Sequence, residues 1–543
     1  MYQKIKKTVH KQMLNPNNKT AFVSVIMLGL AAHMYIFTNK IPNHDDVHQL
    51  VYDMDVSQSG RWFLKFAAKL SSDFSLPWLN GILILLYIFL CVLILINIFK
   101  IKSKIITFFV SGLMVTAPYL TALMPYTNSV DAYTFGCLLA FVGLWISTKW
   151  RFGFLFSWIF FVLSLAIYQI YLGLVAAIFI IYIILKSLQN CDMKEIVFKI
   201  IKFGISIFVG VLIYLITIKI ASTTELTSYG NFNTMGELPI AKLPNIIIVA
   251  YKEFIKFFIL RSFNYQFSIM KLMYILSFLS IIILIVFIVR KEKTRLPNLM
   301  ISIALFSILP LASNLIYILA WNTEVGLRML SGYVAIYLLP LLLIDHFFVN
   351  PVNTYEKDLI VDLQTTKTKD FISLNKGKSY LLIAMCILFF ATSISIYNNI
   401  YQSNRAYFKL DLVNKNINAY SNRIAMRIES VSGYERDFPV IFYGDSTYTT
   451  NFTNEISPPD LVPFGIVTRR SKSWSYKFYF ERFLALPNPI SRRSTSWGNS
   501  FSEDEKTTIE GIVEKMPIYP DEGSIKIIDD VIYIKFEEFV NEK

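Results

Sequence analysis

Apolar residues in this chain gather in runs about twenty positions long, separated by shorter polar segments. A run of that length, wound as an α-helix rising about 1.5 Å per residue, crosses a hydrocarbon core of roughly 30 Å. The pattern predicts eleven spans, near 20–37, 80–99, 105–124, 130–148, 154–169, 170–186, 197–219, 269–289, 298–319, 332–349 and 379–398. Backbone polar groups inside lipid must be paired within their own segment, so each span is expected to be a helix. Beyond 398 the pattern changes. "RAYFKLDLVNKNINAYSNRIAMRIES" repeats apolar positions every three or four residues, as a helix does, while "FPVIFYGD" and "DDVIYIKF" read as strands. The expected fold class is an all-α polytopic membrane protein over residues 1–398, followed by a soluble extracytoplasmic α/β domain over 399–543.

Charge sets the orientation. Lys4, Lys6, Lys7, Lys11 and Lys19 precede the first span, and every second loop thereafter is basic: Lys100 to Lys104, Lys149 and Arg151, Lys186 and Lys194, Arg290 to Arg295, Lys357 to Lys378. Basic loops face the cytoplasm. With eleven spans, the N-terminus is then cytoplasmic, and the segment after the first span and the C-terminal tail are outside. The first apolar run is too long for a signal peptide and lacks a small-residue cleavage site, so it reads as an uncleaved anchor.

Composition adds less. Of the 543 residues 55% are hydrophobic, a fraction that soluble domains also approach. The net charge of +14 could suggest nucleic acid, but residues 399–543 hold 18 Lys+Arg against 20 Asp+Glu, a balance of −2. The remaining +16 therefore belongs to the membrane part, mostly to its loops, and signals topology and anionic lipid, not a nucleic-acid partner. The four cysteines are Cys91, Cys137, Cys191 and Cys386; none lies in the tail, so no disulfide framework is expected there.

The candidate chemistry lies just after the first span, in "NKIPNHDDVHQLVYDMDVSQSGRWF". Asp45 and Asp46 are placed close to the lipid surface, within reach of a lipid-linked substrate. Sugar transfer from a polyprenyl phosphate needs one base to take the proton of the attacking hydroxyl, because the phosphate leaves unprotonated. Neighbouring residues point in different directions, so one Asp would act and the other orient it or hold sugar hydroxyls. By residue type alone Asp45 could equally cap a following helix. His44, Asp45, Asp46 and His48 would suit a divalent ion, but two histidines in an acidic loop do not define a site; no cofactor is expected and no metal is assigned.

The carboxylate pair, followed by "SGRW" at Ser59–Trp62, resembles the GT-C superfamily of membrane glycosyltransferases, and within it the bacterial Gtr-type (glucosyl transferase II) enzymes that decorate O-antigen and related surface polymers. "LMPYTNSVDAYTFG" (Leu123–Gly136), "SLAIYQIYLG" (Ser164–Gly173) and "NTEVGLRMLSGY" (Asn322–Tyr333) fit in order and spacing. The likeness covers roughly residues 20–350; the long tail departs from it. It implies a multi-pass protein of the bacterial cytoplasmic membrane that moves a hexose, typically glucose, from a polyprenyl phosphate donor to a surface glycan with inversion. Its partners would be that donor, the glycan acceptor and membrane lipids.

On this resemblance Asp45 and Asp46 are the catalytic residues. Arg328 is placed to clamp the donor phosphate through paired hydrogen bonds. Arg61 serves the same phosphate or holds Asp46 in an ion pair. Tyr168 and Gln169 are substrate-binding candidates, set against anchoring at the membrane interface or bonding between helices. Asp131 opens the fourth span, where a carboxylate suits the helix dipole; sugar contact is its alternative. The tail's "VIFYGDST" looks like an esterase serine block, but no histidine lies in the tail to serve as base. Rival readings are a transporter or lipid flippase, which would place charges near mid-membrane, and a polysaccharide polymerase or ligase using a lipid diphosphate.

Overall fold

The computed structural model describes residues 15–41, 59–71, 76–221, 240–260, 263, 265–319, 321, 325–349, 376–444, 480–490 and 502–537. Among these, nine helices are long and apolar enough to cross a membrane. They begin with α1 (Pro16–Thr38), which Asn15 caps by accepting the Asn17 amide at 3.0 Å. The short α2 (Leu64–Ala68) precedes α3 (Pro77–Phe99). The third span is split into α4 (Lys104–Val115) and α5 (Pro118–Leu123), because Pro118 cannot donate a backbone N–H to continue the ladder. Then come α6 (Val130–Lys149), α7 (Phe154–Leu165), α8 (Tyr171–Leu188) and α9 (Met193–Ala221). Next are α10 (Leu243–Ile255), α11 (Met270–Glu292), α12 (Leu296–Ser313), α13 (Ile316–Leu319) and α14 (Tyr333–Ile344). The last is α15 (Lys376–Glu429). Against eleven expected spans, the segments near 154–169 and 332–349 form shorter apolar helices, Phe154–Leu165 and Tyr333–Val349, the latter closing in a π-helical turn.

Burial separates centre from periphery. In α6, α8 and the split third span 78% of the apolar window is buried within the protein, against 22% in α9 and α11. The outward faces of α9 and α11 carry exposed Phe208, Ile216, Phe278 and Leu279. These are the faces a bilayer would cover, since lipid-facing positions need no protein partner.

The loops sort into two ends. At one end Asp345 accepts the amides of Ser103 at 3.0 Å and Lys102 at 3.3 Å, satisfying the free N-terminal amides of α4. There too Lys291 donates to the Phe347 carbonyl at 2.6 Å, and Asn190 joins the turn at Glu292 to Arg295 through contacts of 2.9 and 2.7 Å. Among the described residues, the Lys- and Arg-rich loops near 102, 149, 190 and 293 thus share one end. Asp345, the main charge within a span, serves as a helix cap at that end and does not sit at mid-membrane.

α1 and α15 run parallel in register. Asn404 donates to the Ala31 carbonyl at 2.8 Å, His33 meets the Tyr407 hydroxyl at 2.8 Å, and Tyr35 donates to Asp411 at 2.8 Å. Contacts advancing together along both helices mean that residues after Thr38 and the distal part of α15 emerge at the same end of the bundle, here called the upper end. No helix break falls at 398/399; the helix of 54 residues, roughly 80 Å long, carries the chain straight from the bundle into the tail.

Ile424 and Ile428 of α15 pack against a small sheet. β1 (Val440–Tyr443) pairs in parallel with β3 (Val531–Lys535), which pairs antiparallel with β2 (Ile525–Ile528). The β2–β3 hairpin turns through Asp529 and Asp530, both left-handed at φ 48° and 59°, the geometry that matches sheet twist. α16 (Glu503–Val513) opens with a capping box from Ser502 and Glu505 and packs Ile509 and Val513 beside Tyr533.

Candidate functional site

Four upper-end loops meet above the central helices: 59–71, 124–129, 166–170 and 325–332. The loop at 59–71 is fixed by its glycine. Gly60 has φ +75°, and a Cβ there would stand 2.7 Å from the Tyr214 hydroxyl. Gln169 donates to that hydroxyl at 2.7 Å, and Tyr214 donates in turn to the Gly60 carbonyl at 3.1 Å. Phe63 adds a backbone bond to Ala166 at 3.0 Å. Ser331 donates to the Ile170 carbonyl at 2.9 Å, which ties the 325–332 loop to the same floor. The loops 59–71 and 325–332 are therefore both pinned by hydrogen bonds to the 166–170 turn.

This scaffold gathers two arginines around three tyrosines. The Arg61 guanidinium carbon lies 4.7 Å from the Tyr168 ring centroid and 6.0 Å from that of Tyr133. The Tyr133 and Tyr168 rings are 5.0 Å apart, and Tyr126 stands edge-on to Tyr133 at 6.2 Å. Arg328, on a single 3-10 turn (Leu327–Met329), places its guanidinium carbon 5.9 Å from the Tyr126 centroid and lies close to the Tyr168 phenol. Burial works against both charges, but the phenols around them hold each guanidinium above the ordinary arginine range. The two cations are close enough to repel. Two positive charges held among aromatic faces are chemically suited to attract anions and to pack against planar or sugar-like groups.

A cleft open at its mouth adjoins this cluster. Pro118, Tyr119, Phe257 and Tyr333 line it, together with Asn399 of α15. Leu327 and Leu330, which flank Arg328 in sequence, also line it. The lining is mostly apolar, so the cleft suits a hydrocarbon with its charged end toward the arginines. The stretch "IIIVAYKEFIKFFILRSF" packs on the spans as α10 and a π-turn, where Phe257 and Phe258 enter an aromatic cluster with Tyr333.

Of the residues singled out from sequence, Arg61, Arg328 and Tyr168 come together. Gln169 supports the cluster from behind through Tyr214. Asp131 stands apart: it is 1% exposed in the first turn of α6, beside Ser71 and Tyr87 and next to the amides of its own turn. That is the position expected of a carboxylate answering a helix dipole. Asp45 and Asp46, with His44 and His48, lie outside the described residues. Tyr126 and Tyr133 were missed as site residues although both fall within the stretch Leu123–Gly136; their eight-residue span across a helix start hides the fact that the two rings touch. Tyr214 carries no sequence signal at all, being one apolar-span tyrosine among many.

Fold and site together define a polytopic helical membrane protein with a cationic, aromatic site at one end of its bundle. The sequence model of the family described as glucosyl transferase GtrII matches residues 34–342, more than half of the chain, so the protein belongs to that family. No curated protein and no solved structure matches it.

Proposed function

We propose that the protein transfers glucose, with inversion, from a polyprenyl phosphate donor to a glycan on the outer face of the bacterial cytoplasmic membrane, in the manner of a GT-C enzyme. The observation that carries this reading is the joint placement of Arg61, over the Tyr168 ring, and Arg328, over the Tyr126 ring, beside an apolar cleft. Two guanidinium groups offer a donor phosphate charge-assisted, paired hydrogen bonds, with its isoprenoid toward the cleft. In the reaction the acceptor hydroxyl oxygen bonds to the anomeric carbon, the bond from that carbon to the phosphate oxygen breaks, and the hydroxyl proton passes to a carboxylate. The phosphate keeps the bonding electrons, and the arginines stabilise the growing charge. Asp45 is the proposed base and Asp46 its partner. They follow α1, which emerges at the end where the arginines lie.

The same parallel packing of α1 and α15 supports an exported tail, and the grouping of the basic loops at the opposite end supports a cytoplasmic position for them. The test is consumption of radiolabelled glucosyl polyprenyl phosphate by membranes containing the full-length protein and acceptor polymer. Donor consumption and label in the polymer are expected. A wild-type protein that leaves the donor untouched would overturn the proposal and favour a transporter.

A further inference from the structure

The final helix lies wholly beyond the matched region at 34–342, yet it is built into the cleft. Asn399 lines the cleft, and Ala406 and Leu410 belong to the same buried cluster as Phe257 and Tyr333, which also line it. The join is made by a buried polar seam. His33 is 0% exposed; its Nε2 lies 2.8 Å from the Val115 carbonyl and its Nδ1 2.8 Å from the Tyr407 hydroxyl. A carbonyl only accepts, so Nε2 carries the proton and Nδ1 accepts from Tyr407. Val115 closes α4 just before the chain turns at 116–117, which carries its carbonyl away from the amide four residues on; His33 satisfies it. One turn further along, Ser403 donates to the Asn399 carbonyl at 2.7 Å, so the 2.7 Å contact with Thr121 of α5 is donated by Thr121.

We infer that His33 and Tyr407, with Thr121 and Ser403, are positioning residues that lock the α4–α5 break to the final helix and so set the geometry of the cleft beside Arg328. From this break Tyr119 faces the cleft, and α5 leads directly to Tyr126 against Arg328. An imidazole and three hydroxyls buried among helices are retained at a desolvation cost that only full mutual satisfaction offsets. A seam so placed holds a wall that a small shift would misalign, and misplacement by about 1 Å costs on the order of a hundredfold in rate. The tail helix is thus a working part of the site, whatever the sheet at its end does. The inference rests on the reading of the arginine cluster as the donor site.

The test uses the full-length protein with His33→Phe, Tyr407→Phe, both together, and His33→Gln, whose amide can both donate and accept. Rates of glucose transfer are measured per folded molecule, counted by fluorescence-detected gel filtration. Each single variant is expected to lose about tenfold in kcat/KM, the double variant no more than the worse single, and His33→Gln to recover most of the loss. A second readout does not depend on the reaction. Leu330→Cys, in a background with Cys191 and Cys386 replaced by alanine, is labelled with a maleimide. His33→Phe and Tyr407→Phe should change its labelling rate about threefold or more, and His33→Gln should not. If wild-type protein fails to use the donor, the proposed function falls and the labelling alone decides the inference. Unchanged labelling, or unchanged activity per folded molecule with only a lower melting temperature, overturns it.

Discussion

Arg61 holds its guanidinium carbon 4.7 Å from the centroid of Tyr168, and a chain of ring contacts through Tyr133 and Tyr126 leads from there to Arg328. One aromatic cluster therefore positions both cations, and losses at these residues should be linked.

Arg328→Ala should lower kcat/KM by roughly 10- to 150-fold, the worth of about 1.5–3 kcal/mol for charge-assisted hydrogen bonds. Arg328→Lys should retain part of the activity, because an ammonium keeps the charge and loses the two-pronged geometry. Arg61→Ala should fall in the same range. Initial rates of label transfer in membranes, against donor concentration, check this; full activity in both alanine variants would remove the arginines from the site.

Tyr168→Phe keeps the π-face under Arg61 and loses the phenol oxygen close to Arg328. A loss of only a few-fold is expected, about 1 kcal/mol. Tyr168→Ala removes both and should cost more, by about another 0.5–2 kcal/mol of cation–π contact. The ordering of the two variants in kcat/KM is the measurement.

Carboxylate chemistry is tested by Asp45→Asn and Asp46→Asn. The base should be worth about 10²–10⁴ in rate. One variant should lose that much at normal expression, and its partner less. Equal wild-type rates in both would dismiss the pair.

Gly60→Ala forces a side chain into a left-handed backbone at φ +75° and against the Tyr214 hydroxyl. A destabilisation of about 1–3 kcal/mol is expected. Because the 59–71 loop carries Arg61, the melting temperature and the activity should fall together.

Asp345→Ala gives the contrasting case. It strips the amides of Ser103 and Lys102 of their acceptor at the opposite end of the bundle. Stability should drop by about 1–3 kcal/mol, seen as a lower melting temperature in detergent, with KM for the donor unchanged.

The sequence by itself determined the class of this molecule. Runs of apolar residues as long as a bilayer is thick can only be helices, and that argument is local to each run, so it needs no knowledge of the neighbours. Local signals also placed two of the three strands, Val440–Tyr443 and Val531–Lys535, and the motif order pointed to the glucosyl transferase family. Arg61, Tyr168 and Arg328 could each be picked from a motif, but their meeting in one aromatic cluster could not, because contact between loops far apart in sequence depends on how the spans pack. The separation of Asp131 from that cluster, the support of Gly60 by Tyr214, and the capture of the final helix by His33 were likewise decided only in three dimensions. Periodicity reports which face of an element avoids water; it does not report which polar group on another element answers a buried carbonyl or hydroxyl, and that pairing is where the site acquires its shape.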